Sequence, residues 1–228
     1  WGVLKTWADF LKDSLPDPGN QLCTDDFEGP NPHNANLAAK GIVALAAYGE
    51  LLDLKGDTSA GVAYQGAAKD LATRWIRLAS NNSEAGFRRQ FDRDGSWSQK
   101  YNLIWQRVLS LQGPFTDKDL QTEATSYLPR RRAYGIPLDE RHTYTKADWS
   151  MWAAALGTQE QFRAAVGDLY RFVQETPDRV PFTDWYDTIT GKAQGFRARP
   201  VMGGIYIGLS TAPSQPQSIG RAAFQVYV

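Results

Sequence analysis

Residues 33–54 read HNANLAAKGIVALAAYGELLDL. Leu37, Ile42, Val43, Leu45, Tyr48, Leu51 and Leu52 stand among alanines and cover nearly every face of a 3.6-residue period. A helix that is apolar all round has to be buried inside a larger helical assembly. Working outward, Val3, Leu4, Trp7, Phe10 and Leu11 form one helical stripe over 2–13, stopped by Pro16-Asp17-Pro18-Gly19. Residues 59–79 form a third helix with Val62, Ala67, Leu71, Trp75 and Leu78 inward. Between Phe87 and Tyr101 the pattern breaks, and Asp94-Gly95 is a hairpin-turn signal. Helical patterns resume at 102–111, 117–133, 145–156 and 160–175, and Thr116 with Asp119 is placed to cap the second of these.

The tail differs. Phe182 to Leu209 is rich in Thr, Tyr, Ile, Val and Gly, and Thr190-Gly191-Lys192 reads as a turn between two short strands. Ala222 to Val228 is strand-like. The expected fold class is therefore mainly α, an α/α toroid with a small β element near 182–209. Inner helices of such a toroid are buried on both sides and outer helices on one. Seven helices make about half of a twelve-helix barrel, so residues 1–228 are expected to be a partial barrel. The open inner face of 33–54 is then expected to be covered by further chain.

Composition narrows the function. The chain carries 25 Lys plus Arg and 25 Asp plus Glu, so no net field draws it to nucleic acid or to an anionic membrane. No apolar run is long enough to span a bilayer. The first residue is Trp1 rather than Met, read as a processed product or an excised piece. Eight Trp, ten Tyr and ten Phe favour a well-filled core over an aromatic cleft, because aromatics dominate cores generally. Cys23 is the single cysteine, which excludes an intrachain disulfide. Asn81-Asn82-Ser83 is a glycosylation sequon and fits a secreted protein.

Three clusters carry candidate chemistry. Asp25 and Asp26 precede the buried helix, with His33 and Asn34 at its start. Adjacent carboxylates repel, which raises one pKa and suits acid–base work, although capping by the helix dipole explains them as well. Residues 139–149 contain Arg141 and His142 in a loop, then Asp148 and Trp149, with Thr145 and Asp148 at a spacing like that of a capping box. In the third cluster Asp184 stands between Thr183 and Trp185. It reads as a catalytic carboxylate under an aromatic wall, or as the start of a turn. Arg197 and Arg199 alternate, so in a strand they share a face and can pair with Asp184 and Asp187 or with a substrate carboxylate.

Several chemistries fail. Zinc needs clustered Cys or His, and the chain has one Cys and two distant His. Neither a P-loop nor a dinucleotide fingerprint is present. Asp92-Arg93-Asp94-Gly95 imitates a calcium loop with its glycine misplaced. A serine-hydrolase elbow and a Ser-x-x-Lys pair are both missing. Cys23 sits beside carboxylates that disfavour a thiolate nucleophile.

Four stretches, CTDDFEGPNPHNANLAAKGI, YNLIWQRVLSL, GIPLDERHTYTKADWSMWAAAL and TPDRVPFTDWYDTITGKAQGFRARPVMGGIYI, span residues 23–207 and together resemble the fungal glutaminase A family. Gly29-Pro30-Asn31-Pro32 departs from it, standing where the family carries an apolar residue before the His-Asn pair. The resemblance implies a secreted, larger protein with a six-hairpin glycosidase-like helical domain, of which this chain is a C-terminal portion. It also implies hydrolysis of L-glutamine to L-glutamate and ammonia, with the remainder of the same polypeptide as a partner.

The residue roles are our own reading of these sequence clusters. Asp25 or Asp26 activates water and an acid such as Asp148 protonates the leaving ammonia, with Asp184 a further catalytic candidate. Arg141, Arg197 or Arg199 holds the α-carboxylate, and His33, Asn34, His142, Trp149 and Trp185 line the site. No cofactor or metal is called for. A glycoside hydrolase using two carboxylates is the alternative, and an inactive structural fragment is the second.

Overall fold

The structure is a computed structural model that describes residues 1–23, 27, 29–83, 85–178 and 181–211. It is mainly helical, with one two-stranded sheet. In chain order the elements are α1 (Gly2–Ser14), α2 (Ala35–Lys55), α3 (Thr58–Ala79), a 3-10 turn at Tyr101–Leu103 leading into α4 (Ile104–Val108), and α5 (Asp117–Ser126). Then come β1 (Tyr144–Lys146), α6 (Ala147–Ala154), α7 (Gln159–Glu175), β2 (Trp185–Asp187), a 3-10 segment at Pro200–Tyr206, and α8 (Ile207–Thr211).

The sequence accounts for the long helices. Asn34 caps α2 by accepting from the Leu37 N–H at 2.8 Å, and Asp57 does the same for α3 through Ala60. α2 and α3 pack along their length. Where they cross, a side chain on Gly61 would place its Cβ 2.9 Å from the Gly49 carbonyl, so only glycine permits that approach. Trp75 sits at the centre, fully buried, and donates its indole N–H to the Ala35 carbonyl at 2.8 Å. Phe87, Phe91 and Phe115 pack around it edge-on.

α2 is buried nearly all round, as its pattern requires, but what covers it is this chain itself: α1, α3, α4 and the Tyr101–Leu103 turn. The expected bare inner face of 33–54 is not seen; its exposed positions are Lys40, Ala44 and Leu54. A cluster of large exposed apolar residues lies on α1. Val3, Trp7 and Phe10 are 61%, 62% and 59% exposed, while Ala8 and Leu11 of the same helix face the core. On α3 the inward face runs through Gly61, Ala68, Leu71, Ala72, Trp75 and Ala79; Val62 and Leu78 point out.

Three other expectations shift. The helix expected over 117–133 stops at Ser126 and ends in a 3-10 turn at Leu128–Arg130, because Pro129 cannot donate to the ladder and restricts the residue before it. The helix expected from Thr145 begins two residues later. Tyr144–Lys146 is a strand, paired antiparallel with β2 in the register Tyr144↔Asp187, Thr145↔Tyr186, Lys146↔Trp185. The β element near 182–209 shrinks to β2 plus one bridge from Tyr186 to Ala193 across the expected turn at 190–192. From Pro200 to Thr211 the chain is helical despite its β-prone residues, since it packs against α6. The strand expected at 222–228 lies outside the described residues. No described helix is long and apolar enough to cross a membrane.

Candidate functional site

β1 runs into α6 without a loop, and this join builds the site. Along the strand pair Thr145 and Tyr186 are buried on one face, and Lys146 shares the other with Trp185. Two residues on, Asp148 lies in the first turn of α6. A cleft of about 430 Å³ opens here, walled by the rings of Phe27, Trp149, Trp152 and Phe196 and on one side by the backbone of Gly203 and Gly204. Its charged lining residues are Lys146, Asp148 and Arg199.

Lys146 is 2% exposed. Its ammonium contacts Asp184 Oδ2 and lies over the rings of Phe27, Trp149 and Phe196, 5.7, 5.2 and 4.8 Å from their centroids. Burial pushes its pKa down to about 8. Asp148 opposes that fall and Arg199 adds to it. The Arg199 guanidinium lies 3.6 Å from the same Asp184 oxygen and stacks over Phe196 at 4.2 Å.

Asp184 is fully buried and does not line the cleft: it stands behind the two cations as their shared counter-ion. Its carbonyl also accepts from the Ala147 N–H at 2.7 Å, so one residue grips both sides of the β1–α6 join. The sequence offered Asp184 as a catalytic carboxylate or as the start of a turn; in the structure it lies behind the cleft wall, paired with Lys146.

Asp148 faces the cleft. Desolvation raises its carboxyl pKa. The lowering effects of Lys146, the Trp149 and Asp148 backbone N–H groups and Arg199 are smaller. Among the described residues, Asp148 Oδ1, Asp184 Oδ1 and Trp185 Nε1 are buried without a hydrogen-bond partner. Thr145 does not cap α6; its hydroxyl bonds Ser150 at 2.7 Å, so Asp148 is not held in a capping box.

The aromatic residues expected at the site are there. Trp149 stacks on Tyr101 at 4.4 Å, and Trp185 packs edge-on to Phe27 at 4.9 Å and Tyr144 at 5.2 Å. Arg141 and His142 line a neighbouring cleft instead. Arg141 forks onto Asp139, and His142 stacks at 4.7 Å on Tyr144, whose ring is 6.4 Å from Phe27.

The remaining candidates stand apart. His33 pairs with Asp17 at 2.8 Å, which raises its pKa, and Asn34 is used as the α2 cap. Arg197 is exposed and away from Arg199, because Ala198 takes a left-handed conformation (φ 48°) that ends any strand alternation. Asp187 is engaged with Thr143 and the turn at Ile189–Thr190 rather than with an arginine. Asp25 and Asp26 lie outside the described residues. Asn81 donates its side-chain amide to the Ser96 carbonyl at 3.1 Å and accepts from Gly95, so a glycan on that nitrogen would break a bond that pins the Asp94–Gly95 turn.

A larger groove of about 730 Å³ between α6, α7 and α8 is lined by apolar side chains such as Met151, Phe162 and Leu169. It presents no carboxylate, lysine or histidine. Among the described residues no group of three His, Cys, Asp or Glu is placed to hold a metal ion.

Lys146 is the residue sequence reading missed. A lysine just after Thr143 and Thr145 looks solvated; the signal was the alternation Tyr144-Thr145-Lys146, which places residue 146 on the same face as residue 144.

Comparison with known proteins adds the lineage. Glutaminase A of Aspergillus oryzae is 34% identical over 213 residues, covering 90% of this chain and 30% of that protein. Probable glutaminase/05536 of Arthroderma benhamiae is 28% identical over 235 residues, 90% of this chain and 27% of its own. The chain therefore spans less than a third of the length of these relatives. Residues 1–209 match the glutaminase A six helical-hairpin domain, and by that match the chain belongs to the glutaminase A family.

Proposed function

We propose that the chain forms part of an amidohydrolase that converts L-glutamine and water to L-glutamate and ammonia. The observation that carries this is Asp148, a buried carboxyl whose pKa is raised by desolvation, at the mouth of a cleft that also presents two cations. A proton-bearing acid facing the substrate is what the departing amide nitrogen needs, and a group with a pKa moved towards the working pH supplies it best. Water attacks the side-chain amide carbon, the C–N bond breaks, and the Asp148 proton goes to the leaving nitrogen. Arg199 faces the α-carboxylate. The water-activating base is assigned to Asp25 or Asp26, the residues preceding Phe27 in sequence. The names of the relatives point to the same substrate.

Extracellular action and association with further chain of the same polypeptide belong to this proposal. Detection of the protein in culture medium, and its mass there, test them.

Ammonia release from L-glutamine by the protein and by its Asp148→Asn variant tests the reaction. Loss of about 10²–10⁴-fold in turnover with an unchanged circular dichroism spectrum is expected. Full activity of the variant overturns the role of Asp148. Release from chromogenic glycosides with none from glutamine overturns the reaction itself.

A further inference from the structure

We infer that Lys146 and Arg199 together form a two-cation clamp for the α-carboxylate of an amino-acid substrate, braced from behind by Asp184. The inference rests on the reading of the cleft as a glutamine site and adds the residue that selects for an amino acid over a simple amide.

The donors are built and unspent. Among the described residues the Lys146 ammonium makes one hydrogen bond, to Asp184 Oδ2, although it has three N–H groups. The others lie among the rings of Phe27, Trp149 and Phe196, which themselves wall the cleft. The Arg199 guanidinium has five N–H donors. It meets Asp184 only at 3.6 Å, an ion pair too long for a hydrogen bond, and no described residue accepts from it. A lysine this buried with its donors unused is costly unless something polar arrives to take them.

The charges define the ligand. With the Asp148 carboxyl protonated, as the proposed reaction requires, two cations set against the one buried carboxylate behind them leave a single unit of positive charge at the cleft wall. That matches a monoanion such as a carboxylate, one oxygen to each cation. A phosphate dianion would leave excess negative charge between ring faces. The rings exclude water, which strengthens both contacts. Asp184 fixes the spacing of the cations, since both meet its Oδ2.

Binding is tested by calorimetry and turnover by ammonia release, with two probes. L-Glutamine carries the carboxylate; 4-aminobutanamide is glutamine without it. The variants are Arg199→Gln, on a half-exposed side chain, and Lys146→Met made together with Asp184→Asn, so that no buried charge is left alone. Each variant should weaken L-glutamine and the product L-glutamate by roughly 10- to 100-fold. The rise should appear in KM with kcat little changed, and 4-aminobutanamide should be unaffected. Equal weakening of both probes, or of neither, overturns the clamp. If L-glutamate binds with this charge dependence but no ammonia is released from glutamine, the clamp stands and the glutaminase reading falls.

Discussion

Asp148 is 3% exposed, two residues from a buried lysine, and a Cβ on Gly204 would lie 2.9 Å from its own Cβ and 2.9 Å from Trp152 Nε1. Two outcomes follow for its titration. As a proton donor it must be protonated, so turnover should fall as pH rises through its raised pKa. For stability the sign is the same. The folded pKa lies above the ordinary 3.8, so the stabilisation of the protonated form is complete below about 3.8 and lost as pH rises through the folded value. Asp148→Asn should therefore raise the Tm at pH 7 and leave it nearly unchanged at pH 4, which calorimetry at the two pH values checks. Lys146→Met leaves the buried Asp184 with only the 3.6 Å ion pair to Arg199 and should lose about 3–5 kcal/mol by urea unfolding, most of it recovered with Asp184→Asn. Gly204→Ala should cost about 1–3 kcal/mol in the same assay, as the backbone wall has to move off Asp148. At this scale the sequence was only partly legible. Asp148, Trp149 and Arg199, singled out because reactive types cluster there, line one cleft, and Trp185 packs behind it against Phe27 and Phe196. His33 looked like a site residue beside Asp25 and Asp26, yet its partner is Asp17, sixteen positions back, which no local pattern shows.

Helices carry the more local information, and their starts were the better read. Thr116 and Asp119 form the capping box expected of them. Thr158 and Gln161 form a second, unexpected one at the head of α7. Thr158→Ala should lower stability by about 0.5–2 kcal/mol, read from the urea midpoint at unchanged m-value. β1 was read as helix because its partner β2 lies some forty residues on, and a three-residue strand has no period of its own. Pairing across such a distance is tertiary information. So is the helical course of Pro200–Thr211, where residues of β preference follow the shape of α6.

For the whole molecule, periodicity gave the mainly helical class and the buried centre at α2, but not which faces meet. The α1 stripe was visible as a stripe; that Val3, Trp7 and Phe10 stand in solvent while Ala8 and Leu11 anchor the helix depends on where α2 lies. Replacing Trp7 and Phe10 together by Gln should change the unfolding free energy of this chain by no more than about 0.5 kcal/mol per site, measured in urea; a larger loss would show that the stripe is buried. The aromatic residues divide between core and cleft. Trp75 holds the centre, while Trp149 and Trp152 line the cleft and Trp185 backs it through Phe27 and Phe196. Two of the eight indoles thus line one opening beside a lysine and a carboxyl, and a third stands behind its wall. The intrinsic emission of the unlabelled protein is weighted towards that opening, so a ligand entering it should shift the spectrum and a titration followed by fluorescence would yield an affinity with no dye attached.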